Sequence, residues 1–143
     1  MPGYEPCKPH DRIRVIAVSS HPYLFVYGTL KSSFQNPYAQ RLQREARLLG
    51  RAQIPGRLYR ISSYPGMRPP RDPKDLITGE LYELHQPLQT LAVLDEWEED
   101  YDRELHRAKL EKSGEDGQDF PAWVYVYRQS LPEDRYIASG EWR

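Results

Sequence analysis

Cysteine is almost absent: Cys7 is the only one among 143 residues. There is thus no disulfide framework and no cysteine-built metal site, and a place in the proline-rich tail MPGYEPCKPH argues against a nucleophilic role. Net charge is nearly absent as well. Twenty basic against 21 acidic side chains leave a formal charge of −1, which makes no overall field of the kind that draws a protein to phosphate backbones or anionic lipid. Neither nucleic acid nor a membrane surface is an expected partner. No run approaches the roughly eighteen apolar residues of a spanning helix, and the N-terminus MPGYEPCKPHDRIRV has no signal-peptide apolar region. A cytoplasmic protein is expected. The common catalytic signatures are missing too: no G-x-S-x-G elbow, no phosphate loop, no H-E-x-x-H, and only four scattered histidines.

What is present suits a compact domain with a real core, since 38% of residues are hydrophobic and 12% aromatic. Apolar residues alternate in RIRVIAVSS, GRLYRI, ITGELYEL and LHRAKLEK, the pattern of strands. AWVYVYR is apolar on both faces and reads as a central strand, forming a hairpin with LHRAKLEK across SGEDGQD. One helix is expected to open at Asn36-Pro37, an N-cap and N1 pair, with Tyr38, Leu42 and Ala46 on one face and Arg41, Arg44 and Arg47 as a solvated stripe. A second starts at Pro87 and carries Leu88, Leu91 and Leu94 towards Trp97 and Glu98. YPGMRPPRDPKD, with its four prolines, reads as a long irregular loop. These elements sum to a small α+β domain built around a curved sheet.

Two stretches carry candidate chemistry. In YLFVYGTLKSS a strand breaks at Gly28, where successive N–H groups of Gly28, Thr29 and Leu30 can converge on an anion; the alternative is a plain strand-to-loop turn. In LDEWEED five acids crowd the C-terminal end of the second helix, the end at which the dipole disfavours negative charge. Glu98 lies four residues after Leu94 and seven after Leu91, which turns it towards the buried face. A half-buried carboxylate with acidic neighbours and a helix C-terminus beside it is expected to have a raised pKa, suited to a general base. The alternative is a frayed acidic helix end.

Together, FVYGTLK, LLG at 48–50, LY, YPG, TGELYEL, LDEWEEDYDREL, AWVYVY and the terminal IASGEWR resemble the gamma-glutamylcyclotransferase-like family in order and spacing from Tyr23 to Arg143. The resemblance implies a small mixed β-barrel with flanking helices over residues 23–143, preceded by an extension, 1–22, of no assigned role. It also implies that Tyr27, Gly28, Thr29 and Leu30 form the substrate-binding loop and that Glu98, in the family's L-D-x-x-E pattern, is the catalytic acid/base. The implied reaction needs no cofactor and no metal: the α-amine of a γ-glutamyl group attacks its own γ-carbonyl, releasing 5-oxoproline and an amine or amino acid. The small-molecule substrate is left as a γ-glutamyl amine, a γ-glutamyl amino acid or a γ-glutamylated intermediate, with RPPRDPKD expected near the pocket and able to alter which leaving group fits. Tyr101, Tyr125 and Tyr127 lie in segments able to line the pocket, but tyrosines of this kind are more often core residues with a satisfied hydroxyl, and they are not assigned to the site. Two rivals stand beside catalysis, a non-catalytic module binding a carboxylate-bearing metabolite or a protein partner, and a purely structural barrel. Oligomeric state is not readable from the sequence.

Overall fold

A computed structural model of the protein describes residues 21–111 and 118–143. The expected strand RIRVIAVSS, Arg12 to Ser20, lies outside the described residues, as does most of the SGEDGQD loop. The elements run β1 (Tyr23–Val26), α1 (Pro37–Glu45), β2 (Ala46–Pro55), β3 (Arg57–Arg60), β4 (Pro65–Arg68), β5 (Leu76–Leu84), α2 (Pro87–Trp97), β6 (Tyr101–Leu110) and β7 (Asp119–Tyr127), followed by a 3₁₀ turn at Glu133–Arg135. Five strands close into a barrel in the order β1-β5-β2-β6-β7, with β3 and β4 as a separate hairpin. The barrel is mixed because β1 pairs parallel with β7 while its remaining neighbours are antiparallel. The fold is therefore α+β, a small mixed barrel with two flanking helices.

Alternation along the strands divides the core into two. Phe25 and Tyr27 of the first strand segment point inward with Ile77, Leu81, Val124 and Val126 to fill the barrel. Leu24, Val26, Tyr82 and Leu84 point outward, where Leu42 of α1 and Leu91 and Leu94 of α2 cover them. A strand apolar on both faces, such as YLFV, is what a barrel wall sheathed by helices requires. β7 has neighbours on both sides, β1 and β6, as its apolar run implies.

The structure differs from the sequence reading in four places. Leu88 is exposed, at 52%, and it is Thr90 with Leu91 and Leu94 that α2 buries. Ala46 and Arg47 belong to β2, so the arginine stripe is split between a helix and a strand. β6 starts at Tyr101, before the LHRAKLEK pattern begins. Pro65–Arg68 is a strand paired with β3, with Tyr59 opposite Gly66; proline sits at its first position, where its missing N–H is tolerated.

Candidate active site

The chain leaves the barrel wall at Tyr27 and turns sharply, the N–H of Lys31 donating to the Gly28 carbonyl at 3.1 Å. Tyr27 is buried, and its hydroxyl donates to the Tyr125 carbonyl at 2.6 Å while accepting from the N–H of Met67 at 3.0 Å. One side chain thus ties the start of the turn to β7 and to β4. Burial lifts the Tyr27 phenol well above its ordinary range, so this side chain acts as a neutral strut. The end of the turn is held by Glu80 of β5, which accepts from Ser32 N–H at 2.7 Å and Ser32 Oγ at 2.8 Å. Among the described residues, no protein group accepts a hydrogen bond from the backbone N–H of Gly28, Thr29 or Leu30.

Glu98 is the residue that caps α2 at its C-terminus. Its N–H donates to the Leu94 carbonyl at 2.9 Å, and its own carbonyl accepts from Tyr101 N–H at 3.0 Å as the chain enters β6. Its backbone is therefore fixed on both sides. Burial pushes the Glu98 carboxyl up to about 7. Of the three causes expected from the sequence, half-burial, acidic neighbours and the helix C-terminus, removal from water is the one that accounts for the shift. Of the neighbours, Glu96, Glu99 and Asp100 are exposed, and Asp95 is engaged by Arg103 at 2.9 and 3.1 Å and by the Tyr125 hydroxyl at 2.7 Å.

A cavity of about 380 Å³ opens at this end of the barrel. Its lining includes all five residues expected at the site, Tyr27, Gly28, Thr29 and Leu30 on one side and Glu98 from the helix end. It also includes residues that the sequence reading passed over. Asn36, whose sequence signal is that of a helix cap, and Tyr64 and Pro65, whose signal is that of a loop, all line the cavity; of the three tyrosines in segments able to line it, Tyr101 and Tyr125 do and Tyr127 does not. The Tyr101 hydroxyl donates to the Pro65 carbonyl at 2.7 Å, which fixes the β3–β4 turn against β6. The segment RPPRDPKD does not reach the cavity, contrary to expectation; Asp75 binds it back on itself by accepting from the N–H groups of Arg71 and Asp72.

A model of the family described as gamma-glutamyl cyclotransferase, AIG2-like, matches residues 24–143. The chain belongs to that family. Solved structures of gamma-glutamyl cyclotransferase-like fold agree. An AIG2-like protein from Mus musculus is 25% identical, with a TM-score of 0.61 over 79% of this chain and 82% of its own. An uncharacterized protein from Pyrococcus horikoshii is 22% identical with a TM-score of 0.63, over 83% of this chain and 87% of its own. A protein specific to uropathogenic E. coli shows the same TM-score, 0.63, at 22% identity, over 84% and 91% of the two chains. A comparison with curated proteins gives no match. Family membership supports a cyclotransferase-type activity on a small molecule. No helix among the described residues is long and apolar enough to cross a membrane.

Proposed function

We propose that the protein is a cofactor-independent γ-glutamyl cyclotransferase that releases 5-oxoproline, with Glu98 as general acid/base and the Gly28–Leu30 backbone as the substrate-binding loop. One observation carries this reading: Glu98, whose half-buried carboxyl is pushed up to about 7, and the Gly28–Leu30 turn, whose three N–H groups have no protein acceptor among the described residues, line one cavity. The nucleophile comes with the substrate. Glu98 takes a proton from the α-nitrogen as it attacks the γ-carbonyl carbon; the new C–N bond closes a five-membered ring and charge develops on the carbonyl oxygen. Backbone N–H groups of the loop stabilise that oxyanion or hold the α-carboxylate. Glu98 then returns its proton to the departing nitrogen as the old C–N bond breaks. The second proton lost by the α-ammonium goes to solvent, from which the released amine is protonated, so the reaction is balanced without a cofactor. Binding energy folds the substrate into its cyclising conformation, which converts positioning into rate. A cytoplasmic location belongs to the same reading.

The test is Glu98→Gln, which keeps the shape and removes the base. Release of 5-oxoproline from γ-glutamyl amines and γ-glutamyl amino acids, followed by chromatography, should fall by about a hundredfold or more. The wild-type kcat/KM should decline on the acid side of about pH 7 as Glu98 takes up its proton, and the residual activity of the variant should lack that limb. Turnover by Glu98→Gln at the wild-type level overturns the assignment. Wild-type protein that binds 5-oxoproline yet turns over no γ-glutamyl compound would instead be a binding module.

A further inference from the structure

Asn36 makes two hydrogen bonds with opposite ends of its amide. Its Oδ1 accepts from the N–H of Ala39 at 2.8 Å, the cap of α1 that the sequence announces. Its Nδ2 donates to the Thr29 carbonyl at 2.7 Å. The second bond lies in the cavity wall, since both Asn36 and Thr29 line the cavity, and a helix cap has no need of it.

The peptide joining Thr29 to Leu30 is trans, so its C=O and N–H point in opposite directions. Whatever holds the Thr29 oxygen therefore sets where the Leu30 N–H points. The preceding peptide is already held, because the Gly28 carbonyl is taken by Lys31 N–H. Without Asn36 the Thr29–Leu30 unit would have neither end bonded to protein among the described residues, as is already so for the Tyr27–Gly28 unit at the start of the turn. Such a unit can rotate about its flanking φ and ψ and trade its N–H for its C=O at the same place, replacing a donor by an acceptor where an anion must sit.

We propose that Asn36 is a positioning residue: it holds the Thr29–Leu30 peptide so that the Leu30 N–H stays available to the anionic oxygen of the substrate, and it couples that orientation to the start of α1. This rests on the cyclotransferase reading for the identity of the oxygen. The positioning itself rests on the two bonds of one amide.

Two variants separate the cap from the clamp. Asn36→Ser and Asn36→Asp both retain a side-chain oxygen for Ala39 N–H, and both lose the donor to Thr29. In each, kcat/KM for 5-oxoproline release should fall by about tenfold or more, as expected when a donor at the reacting centre is misaligned, while the melting temperature stays close to wild type. The backbone ¹⁵N resonance of Leu30, which senses hydrogen bonding at the preceding carbonyl, should shift, whereas that of Ala39 should not in Asn36→Asp. Folded variants with wild-type kcat/KM overturn the proposal. So does failure of both to fold, which would make Asn36 a stability residue. Absence of turnover and of 5-oxoproline binding in the wild type would fail the cyclotransferase reading instead; the Leu30 resonance then decides the clamp, and an unchanged shift in Asn36→Ser overturns it.

Discussion

Gly28 is glycine because of what lies beside it. A Cβ built there would stand 2.8 Å from Pro65 Cγ and 2.9 Å from Pro65 Cδ, closer than carbon atoms pack, and a proline ring cannot swing aside. Among the described residues the glycines with left-handed φ are Gly50 and Gly140, so the open backbone expected at Gly28 is not what selects it. Gly28→Val should therefore overpack the contact between the loop and the β3–β4 turn, at about 1–3 kcal/mol, and lower the melting temperature by roughly 5 °C or more. Because Pro65 lines the same cavity, affinity for 5-oxoproline should drop as well. Thermal unfolding beside calorimetric titration checks both; a variant with unchanged melting temperature removes Pro65 as the reason for the glycine. Gly28 and Glu98 were legible in the sequence because a local signal marked each: a glycine ending an apolar run, and an acid at helical spacing from two leucines. Tyr64 and Pro65 carried no such signal, since their part in the cavity follows from a hairpin that only tertiary packing reveals.

At the scale of elements, the end of α2 is the part that must not move. Arg103 of β6 forms paired bonds with the Asp95 carboxylate, the Tyr125 hydroxyl of β7 donates to the same carboxylate, and Arg103 lies over the Trp123 ring at 4.4 Å. On the other flank Trp97 stacks on Tyr38 of α1, with centroids 4.4 Å apart and planes 12° from parallel. Glu98 follows both attachments in the chain, as the residue directly after Trp97. Asp95→Ala should leave a half-buried arginine and a buried tyrosine hydroxyl without their acceptor, destabilising the fold by about 1–3 kcal/mol. It should also lower kcat for 5-oxoproline release in the protein that remains folded. Urea unfolding and single-turnover assays would show both effects, and an Asp95→Ala protein with unaltered kcat removes Asp95 from the support of Glu98. Both helices were legible from proline at N1, α1 with Asn36 as its cap and α2 with the spacing of Leu91 and Leu94. β2 was not, because its residues alternate poorly: a register shift between Leu48 and Gly50, with Gly50 at φ 144°, breaks the period of two on which the pattern depends.

For the whole molecule, barrel closure is the property least visible in the sequence. It depends on β1 lying parallel to β7, with Leu24 opposite Trp123, a pairing across the full length of the domain that no local pattern encodes. That closure brings the loop after β1 beside the α2–β6 junction and removes Glu98 from water, and the burial has a consequence for stability. Its carboxyl rises from 4.5 to about 7 on folding, so between those pH values the folded state binds more protons than the unfolded state. Stability must fall as pH rises through this window: the contribution of protonated Glu98 is complete below about pH 4.5 and is lost as the pH passes about 7. Glu98→Gln has no proton to lose. Every other titrating group is shared by the two proteins, so the difference between them isolates this one carboxyl. The variant should match wild type near pH 5 and exceed it by ~1–3 kcal/mol near pH 8, read from urea unfolding across that range. A gap that stays constant with pH would mean that Glu98 ionises as it does in water, and the acid/base role would lose its physical basis.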